Sequence, residues 1–312
     1  MLTMSGSKMM KNMSRIEQLI RQCSTVAKRK QDVFYDSEVQ GLLKKLTGLN
    51  YQKIFRTRRI GEKIEEKAVY QFLTDQELER IQKETEVKAL EKLQMPPVMD
   101  VRKPAGRVLE KDPLLIGFDI SKVVFTDITY GISERERIVV VRDTDGTLRT
   151  AEWEELDRIN QTYYPRPGRK HTIPALFDRN HLETILGPDK YEYILDRNCL
   201  QFEPDNPVYI STAELVYNHI NENKHFNQLH STRHYGPMVF YLCSSQQIDE
   251  FLIHQILNHD LEGAVNTIKV YQIINQDFSF STDGDARTVI SRFSSSAAKK
   301  GQKIAMALER VA

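Results

Sequence analysis

The strongest constraint on the fold of this chain is a β-hairpin pattern near its middle. Two short runs rich in β-branched residues, 138–142 and 147–151, flank the dipeptide Asp145-Gly146. An Asp-Gly pair between such runs is typical of a tight hairpin turn, because glycine adopts the positive φ angles that the turn requires. Residues 122–130 alternate in polarity and are rich in Val, Phe, Ile and Thr, which predicts a further strand just before the hairpin.

Helical patterns dominate the rest of the chain. Residues 36–48 predict a helix capped by Asp36 and ended by Gly48, with Val39, Leu42, Leu43 and Leu46 on its apolar face. Residues 74–94 predict a longer helix, since Thr74 and Glu77 have the spacing of a capping box. Its apolar positions are expected to face the core by default, with a neighbouring protein as the alternative; they are Leu78, Ile81, Leu90 and Leu93.

The second half of the chain is almost entirely helical in pattern. A helix begins near Trp153 and ends before Pro165, and a single final helix is predicted over 286–310. The helices predicted between them cover 180–187, 189–200, 211–222, 232–244, 246–258 and 261–275. The fold class is therefore α+β and predominantly helical, with a central strand plus β-hairpin segment followed by a helical C-terminal half.

Charge and breaks in pattern divide the chain into segments. Pro96 and Pro97 stop the second helix, and a connector containing Pro, Gly and charged residues continues to about residue 117. We predict four segments, which are 1–30, 31–117, 118–178 and 179–312.

The first 30 residues contain seven basic side chains and one acidic side chain. Their apolar side chains fall at helical spacing on one face, at Met9, Met13, Ile16, Ile20 and Cys23. A basic amphipathic segment with few acids is typical of a mitochondrial transit peptide, and an ordinary solvated helix with a basic face is the alternative.

Removing this segment changes the sign of the net charge. The full chain has 44 basic and 43 acidic residues, and without residues 1–30 these become 37 and 42, a net charge of −5. A protein that coats RNA broadly is strongly basic. Contact with RNA is therefore expected only at local basic patches.

The first basic patch lies in residues 50–67, an irregular stretch with aromatic residues among its cations. Arginine binds phosphate through two parallel hydrogen bonds, and aromatic rings stack on unpaired bases. A solvated loop balanced by Glu62, Glu65 and Glu66 is the alternative. The RNA-binding candidates here are Lys53, Arg56, Arg58 and Arg59, beside Tyr51 and Phe55.

The second basic patch is a loop whose prolines restrict its freedom. Pro165, Pro167 and Gly168 surround three RNA-binding candidates, Arg166, Arg169 and Lys170. Restricted loops lose less entropy when they bind a phosphate. A simple surface turn is the alternative. In contrast, the alternation of Glu134, Arg135, Glu136 and Arg137 predicts that these charges pair with one another.

No catalytic pattern stands out, and we expect neither an enzyme nor a cofactor. Phosphate-binding glycine loops and the G-x-S-x-G elbow are absent from the sequence, and its three cysteines form no C-x-x-C pair. Four histidines cluster at His219, His225, His230 and His234, but Arg233 lies between the last two and would repel a cation. A metal-dependent enzyme using these histidines stays open as an alternative. No apolar run approaches the roughly 18–20 residues that span a bilayer, so no membrane partner is expected.

The hairpin region also carries a resemblance to a known family. The stretches VVFTDITY, RERIVVVR, GTLR, WEE and PRPGRK all fall within residues 123–170, and KLTGLNYQKIF, KLQMPPV and STRHYGPMVFY lie outside it. Together they resemble the mitochondrion-specific ribosomal protein family numbered twenty-two in the small subunit. The resemblance runs from about Asp32 to about Asn275.

This resemblance implies a non-enzymatic scaffold of the mitochondrial matrix. Its expected partners are small-subunit mitochondrial rRNA, bound at a few places, and neighbouring mitochondrial ribosomal proteins, bound over larger areas; no small-molecule substrate is expected. The alternative is a matrix adaptor or ribosome assembly factor that binds proteins without direct RNA contact.

Overall fold

The computed structural model describes residues 30–56, 70–117, 119–134, 136–275, 281 and 284–311. They form a predominantly helical α+β fold with one small antiparallel sheet, which confirms the predicted class. The predicted leader lies outside the described residues apart from Lys30, and Arg58, Arg59 and Arg135 also lie outside them. The α-helices, in chain order, are α1 (Lys30–Phe34), α2 (Ser37–Thr47), α3 (Tyr51–Ile54), α4 (Asp75–Lys92), α5 (Trp153–Tyr163), α6 (Arg179–Ile185), α7 (Tyr191–Gln201), α8 (Pro207–Asn223), α9 (Tyr235–Ser244), α10 (Asp249–Leu257), α11 (Leu261–Ile274), α12 (Ala286–Ser296) and α13 (Gly301–Arg310).

The described residues group into two compact units. The first comprises residues up to Asp100 together with those from Asn221 onward, and the second comprises Val101–Ile220. The first unit thus combines residues that are distant in sequence. The four segments predicted from sequence are each continuous along the chain, and that division stays a prediction.

Side-chain caps mark the start of α2 and α4 in the first unit. The Asp36 side chain accepts a hydrogen bond from the backbone N–H of Glu38, and the predicted apolar face of α2 is buried. Thr74 and Glu77 form the predicted capping box at the start of α4, which satisfies backbone donors that the helix itself leaves unpaired. Both predicted helix starts are confirmed.

The default expectation for the apolar stripe of α4 is wrong. Leu78, Ile81 and Leu90 are exposed, and Ala89 is the one buried residue of this helix among the described residues. The helix approaches α3 near its C-terminal end, where the Lys92 ammonium lies 5.1 Å from the centre of the Phe55 ring. Contact at one end leaves most of the stripe outside the core.

The second unit contains the sheet, whose strands are β1 (Val108–Lys111), β2 (Val123–Thr126), β3 (Val139–Arg142) and β4 (Thr147–Thr150). The strand order is β1-β4-β3-β2 and each neighbouring pair is antiparallel. The hairpin around Asp145-Gly146 is confirmed, with Gly146 at φ 80°. The edge strand β1 was missed, because it lies within the stretch predicted as a connector and all four of its residues are exposed.

One face of the sheet packs on α5. Val139, Val141 and Ala151 are buried there, with Leu156 and Ile159 of the helix against them. Burial of these apolar side chains is the main favourable term that holds the helix on the sheet.

The end of the chain forms two helices rather than the single predicted helix over 286–310. The break after Ser296 lets α13 fold back, so that it packs on both α12 and α10. Ile304 and Ala307 of α13 are buried as a result. A continuous helix would extend away from α12 and lose this burial, which outweighs the continuity of the backbone hydrogen bonds.

Two glycines of the first unit should respond oppositely to replacement by alanine. Gly41 lies within α2 with open space around it, whereas a Cβ at Gly236 in α9 would collide with the Met95 side chain. Gly41→Ala should raise the free energy of unfolding by about 0.5–1 kcal/mol, through lower entropy of the unfolded chain. Gly236→Ala should lower it by about 1–3 kcal/mol through overpacking.

Urea unfolding of the two variants and the unmodified chain tests this pair. Equal shifts of the same sign would show that the contact between Met95 and Gly236 does not constrain the fold.

Candidate functional site

The first basic patch is built on the one-turn helix α3. The Asn50 side chain caps this turn by accepting a hydrogen bond from the backbone N–H of Lys53 at 3.1 Å. The Tyr51 and Phe55 rings lie parallel, with centroids 6.4 Å apart. This arrangement sends the Lys53 side chain toward the short turn at residues 226–228.

The Lys53 ammonium forms hydrogen bonds within the protein. It donates to the backbone carbonyls of Asn227 at 3.1 Å and Gln228 at 2.9 Å. Burial, and secondarily the charge of Arg56, lower the pKa of Lys53 to about 8. Lys53 therefore acts here as a clamp between α3 and a distant turn, and Arg56 is the more exposed cation of the pair.

Three of the stretches that carry the family resemblance meet beside this clamp. Ser231 donates its backbone N–H to the Thr47 carbonyl at 3.0 Å, and its hydroxyl accepts from the Asn50 backbone N–H at 3.2 Å. Gly48 lies against the His230 ring, and Gly236 lies against Met95. The two glycines and Ser231 thus allow close packing between segments that lie up to 184 positions apart in the sequence.

The second basic patch is a loop held at its main chain by two glutamines. Gln161, at the end of α5, accepts from the Arg166 N–H and donates to the Arg169 carbonyl, both at 3.3 Å. Gln201, at the end of α7, accepts from the Lys170 N–H at 3.0 Å and donates to its carbonyl at 2.8 Å. The loop is therefore fixed before any ligand arrives.

The two arginines of this loop pair with two glutamates. Arg166 binds Glu134 at 2.6 Å and Glu203 at 2.7 Å, and its side chain is 47% exposed. Arg169 binds Glu203 at 2.6 Å and approaches Glu134 at 3.6 Å, with a side chain only 7% exposed. The charges of this four-residue cluster balance, so its arginines fasten the loop to α7 and to the β2–β3 connection.

Lys170 differs from its two neighbours. Its side chain is exposed, and no hydrogen bond or ion pair of its ammonium occurs among the residues that the structure describes. Of the candidates in this loop, Lys170 is the one whose charge is not paired with a carboxylate of the described residues.

Arg137 does not pair with the adjacent glutamates, so the prediction is wrong for this residue, while Arg135 lies outside the described residues. Its guanidinium is buried and donates to the carbonyls of Asp127 at 2.6 Å and Ile132 at 3.1 Å. It also lies 3.8 Å from the centre of the Tyr164 ring. The residue fastens the β2–β3 connection because its terminal nitrogens bind carbonyls at separate points along it.

A second buried arginine joins the hairpin to α5. Arg149 on β4 binds Asp143 at 2.7 Å and Glu155 at 2.7 Å, and Lys122 binds the same two carboxylates. The hydrogen bonds from Arg149 lower the pKa of Glu155 to about 2 and also lower that of Asp143. Sequence reasoning did not single out Arg149, although an arginine at an inward position of a strand indicates an ion pair.

The clustered histidines serve separate local contacts. His219 lies in the second unit, where its Nδ1 is 2.8 Å from the Tyr191 hydroxyl. His230 packs edge-on against Tyr235 in the first unit. Within the described ranges, no group of three or more His, Cys, Asp or Glu side chains is arranged to hold a metal ion.

None of the described helices combines the length and apolar character that crossing a membrane requires.

Comparison with known proteins supports the resemblance seen in the sequence. Residues 32–276 match the family described as "Mitochondrial 28S ribosomal protein S22". The mouse protein named "Small ribosomal subunit protein mS22" is 36% identical over 285 residues, which cover 90% of this chain and 79% of the mouse protein. The cattle protein of the same name is also 36% identical, over 287 residues with the same coverage.

Removing one carboxylate of the loop cluster should destabilise the second unit. Glu203→Gln leaves Arg166 and Arg169 short of a charged acceptor, with Arg169 nearly buried, and should lower the free energy of unfolding by about 1–3 kcal/mol. The matched control is Glu183→Gln, which breaks the exposed pair with Arg179 and should change stability by less than about 0.5 kcal/mol. Urea unfolding measures both variants. Equal effects would mean that the cluster contributes no more than a surface pair.

The Arg149 cluster should also make stability depend on acidity. The pKa of Glu155 is about 2 in the folded chain and near 4.5 in the unfolded chain, so the folded state favours the charged form. Its contribution is complete above pH 4.5 and is lost as the pH falls toward 2. Glu155→Gln should therefore destabilise the chain by about 1.5–3 kcal/mol at pH 7, and by progressively less in acid.

Urea midpoints of this variant and of the unmodified chain, measured between pH 7 and pH 3, test the expectation. Glu154→Gln, at an exposed position of the same helix, is the control. A stability difference that stays constant with pH would contradict a charged Glu155–Arg149 pair.

Proposed function

The chain belongs to the mitochondrial 28S ribosomal protein S22 family, and from this membership we propose that it is a structural constituent of the mitochondrial small ribosomal subunit. The observation that carries the proposal is the match over residues 32–276, which covers the whole of the second compact unit and most of the described residues of the first. We place the protein in the mitochondrial matrix, with residues 1–30 as its import leader. Its role in mitochondrial translation is that of a scaffold rather than of a catalyst.

The scaffold binds small-subunit rRNA at a few places rather than along its whole surface. A net charge of −5 outside residues 1–30 repels a polyanion over most of the surface, so positive charge must be local. The candidates remain Lys53, Arg56, Arg58, Arg59, Arg166, Arg169 and Lys170. Among the described ones, Arg56, Arg166 and Lys170 are exposed, and Arg166 already binds two carboxylates, so Arg56 and Lys170 reach a phosphate first.

The loop arginines have a different part in this contact. Their guanidinium groups already bind Glu134 and Glu203, so a phosphate must compete with carboxylates for the same donors. Arg169 consequently positions the loop, while Lys170 meets the backbone of the RNA. The hydrogen bonds to Gln161 and Gln201 keep the entropic cost of that contact low.

Neighbouring ribosomal proteins cover larger areas of the molecule. Large apolar side chains are exposed on and just before α4, at Phe72, Leu78 and Ile81. Their exposure to water is unfavourable, which is typical of a surface that binds another protein. Six acidic residues of α4 outnumber its four basic ones, which makes this helix a poor partner for RNA. We assign it to a protein neighbour.

A matrix adaptor or ribosome assembly factor without direct RNA contact is the second candidate. The internal neutralisation of Arg166 and Arg169 favours it, because a protein that reads RNA usually leaves its arginine forks available.

Sedimentation of a mitochondrial lysate distinguishes the two candidates. A ribosomal constituent co-migrates with the small subunit, survives a moderate salt wash and leaves that fraction after RNase treatment. Migration as a free protein or in a small complex in growing cells would contradict the ribosomal role and favour the adaptor.

Replacing Lys170 should weaken retention in the small subunit in a salt-dependent way. Lys170→Ala removes one phosphate contact, so the slope of log affinity against log salt should fall by roughly one. The matched control is Lys190→Ala, at another exposed lysine of the same unit. Both variants are washed at increasing salt on gradients, and the fraction retained in the small subunit is measured. If the two variants are lost at the same salt concentrations, Lys170 does not contact the RNA.

A further inference from the structure

The sheet has an open edge at β2. The strand order places β2 beside β3 alone, so the other side of β2 has no strand among the described residues. In an antiparallel pair, alternate residues direct both main-chain groups toward the partner, and the residues between them direct theirs away.

Two hydrogen bonds fix which residues of β2 point outward. The Asp127 N–H donates to the Ile138 carbonyl, and the Ala151 N–H donates to the Val139 carbonyl. Taken with the register of Val124 opposite Val141, this alternation directs the main-chain groups of Val123 and Phe125 toward β3. The N–H and carbonyl groups of Val124 and Thr126 therefore face the open edge.

The two edges of the sheet differ in how they resist pairing with another strand. On β1 the register is broken by a bulge between Val108 and Glu110, and Glu110 and Lys111 add charge. Bulges and charged side chains are the usual protection of an edge strand. The sequence of β2, Val123–Thr126, has neither charge nor proline, and its pairing to β3 is regular over all four residues.

Exposed apolar side chains lie beside this edge, with Val124 (37% exposed) on one face of the sheet and Phe125 on the other. Phe125 is 54% exposed and Ile138, next to β3, is 66% exposed. In the connection after β2, Ile128 is 76% exposed and Tyr130 is 98% exposed. Lys122, which precedes β2 in the sequence, is already bound to Asp143 and Glu155.

We infer that the outer edge of β2 receives an extended, uncharged segment of a neighbouring small-subunit protein, which adds to the sheet as a fifth strand. Only a strand pairs with the outward groups of Val124 and Thr126 together, and apolar residues on both faces of that strand would cover the side chains of Val124 and Phe125. The inference rests on the proposed function, since that function places the chain in a particle built from many different proteins.

Amide hydrogen exchange, read at single residues over 120–130, tests the inference on the unmodified chain. In the free chain the amides of Val124 and Thr126 should exchange fast, whereas Phe125 is protected by β3. In the small subunit isolated from a gradient, the exchange rates of the Val124 and Thr126 amides should fall by about tenfold or more. Unchanged exchange in the subunit would overturn the inference and leave the proposed function standing.

Two other outcomes are also decisive. Absence of the chain from the small-subunit fraction would overturn the proposed function and the inference with it. Protection of Val124 and Thr126 in the free chain that rises with protein concentration would identify a second copy of the chain as the occupant, and would overturn the choice of a neighbouring protein.

A pair of variants at Val124 tests whether binding needs the outward main-chain N–H group rather than the valine side chain. Val124→Pro removes one outward N–H, which an edge strand tolerates, and Val124→Thr keeps it. Relative to Val124→Thr, the proline variant should be recovered in the small subunit on the order of tenfold less, while circular dichroism shows both chains folded. Equal recovery of two folded variants overturns the inference, and the exchange experiment decides if the proline variant does not fold.

Discussion

The ion pairs of Arg149 are the interaction on which the second unit most depends. A guanidinium enclosed by protein is tolerated only when carboxylates meet it, since an unpaired buried charge is costly. Asp143 supplies one partner from the hairpin and Glu155 supplies the other from α5. A slip of one residue in the strand register would turn Arg149 to the opposite face of the sheet and separate it from both.

The same requirement recurs in the rest of this unit. The terminal nitrogens of Arg137 donate to backbone carbonyls of the β2–β3 connection, and Arg169 donates to Glu203 and to the Leu200 carbonyl. The sheet, α5 and the loop after it are thus joined by arginines as well as by apolar packing. Among the described cations that the sequence offers for RNA contact, Lys53, Arg166 and Arg169 already bind partners within the fold.

Local patterns predicted most of the elements, and contacts over long sequence distances account for the errors. The Asp145-Gly146 hairpin and the caps at Asp36 and Thr74 depend on residues within a few positions of each other, so sequence reasoning reaches them. Other features depend on residues that are close in space but distant in sequence. They are the exposure of Leu78, the packing of α13 back against α12 and α10, and the pairing of Arg166 with Glu203. No periodicity or spacing contains that information, and for the same reason β1 was missed.

The first unit is assembled from residues on both sides of the second, and this has a consequence for the order of folding. The Thr47 carbonyl meets its partner Ser231 only after 184 further residues have been made. The second unit is continuous along the chain and has all its residues as soon as Ile220 emerges during synthesis. Val39 and Leu43 have no complete core to enter until α9 and α11 exist, so their apolar side chains stay exposed after the second unit already has all its residues.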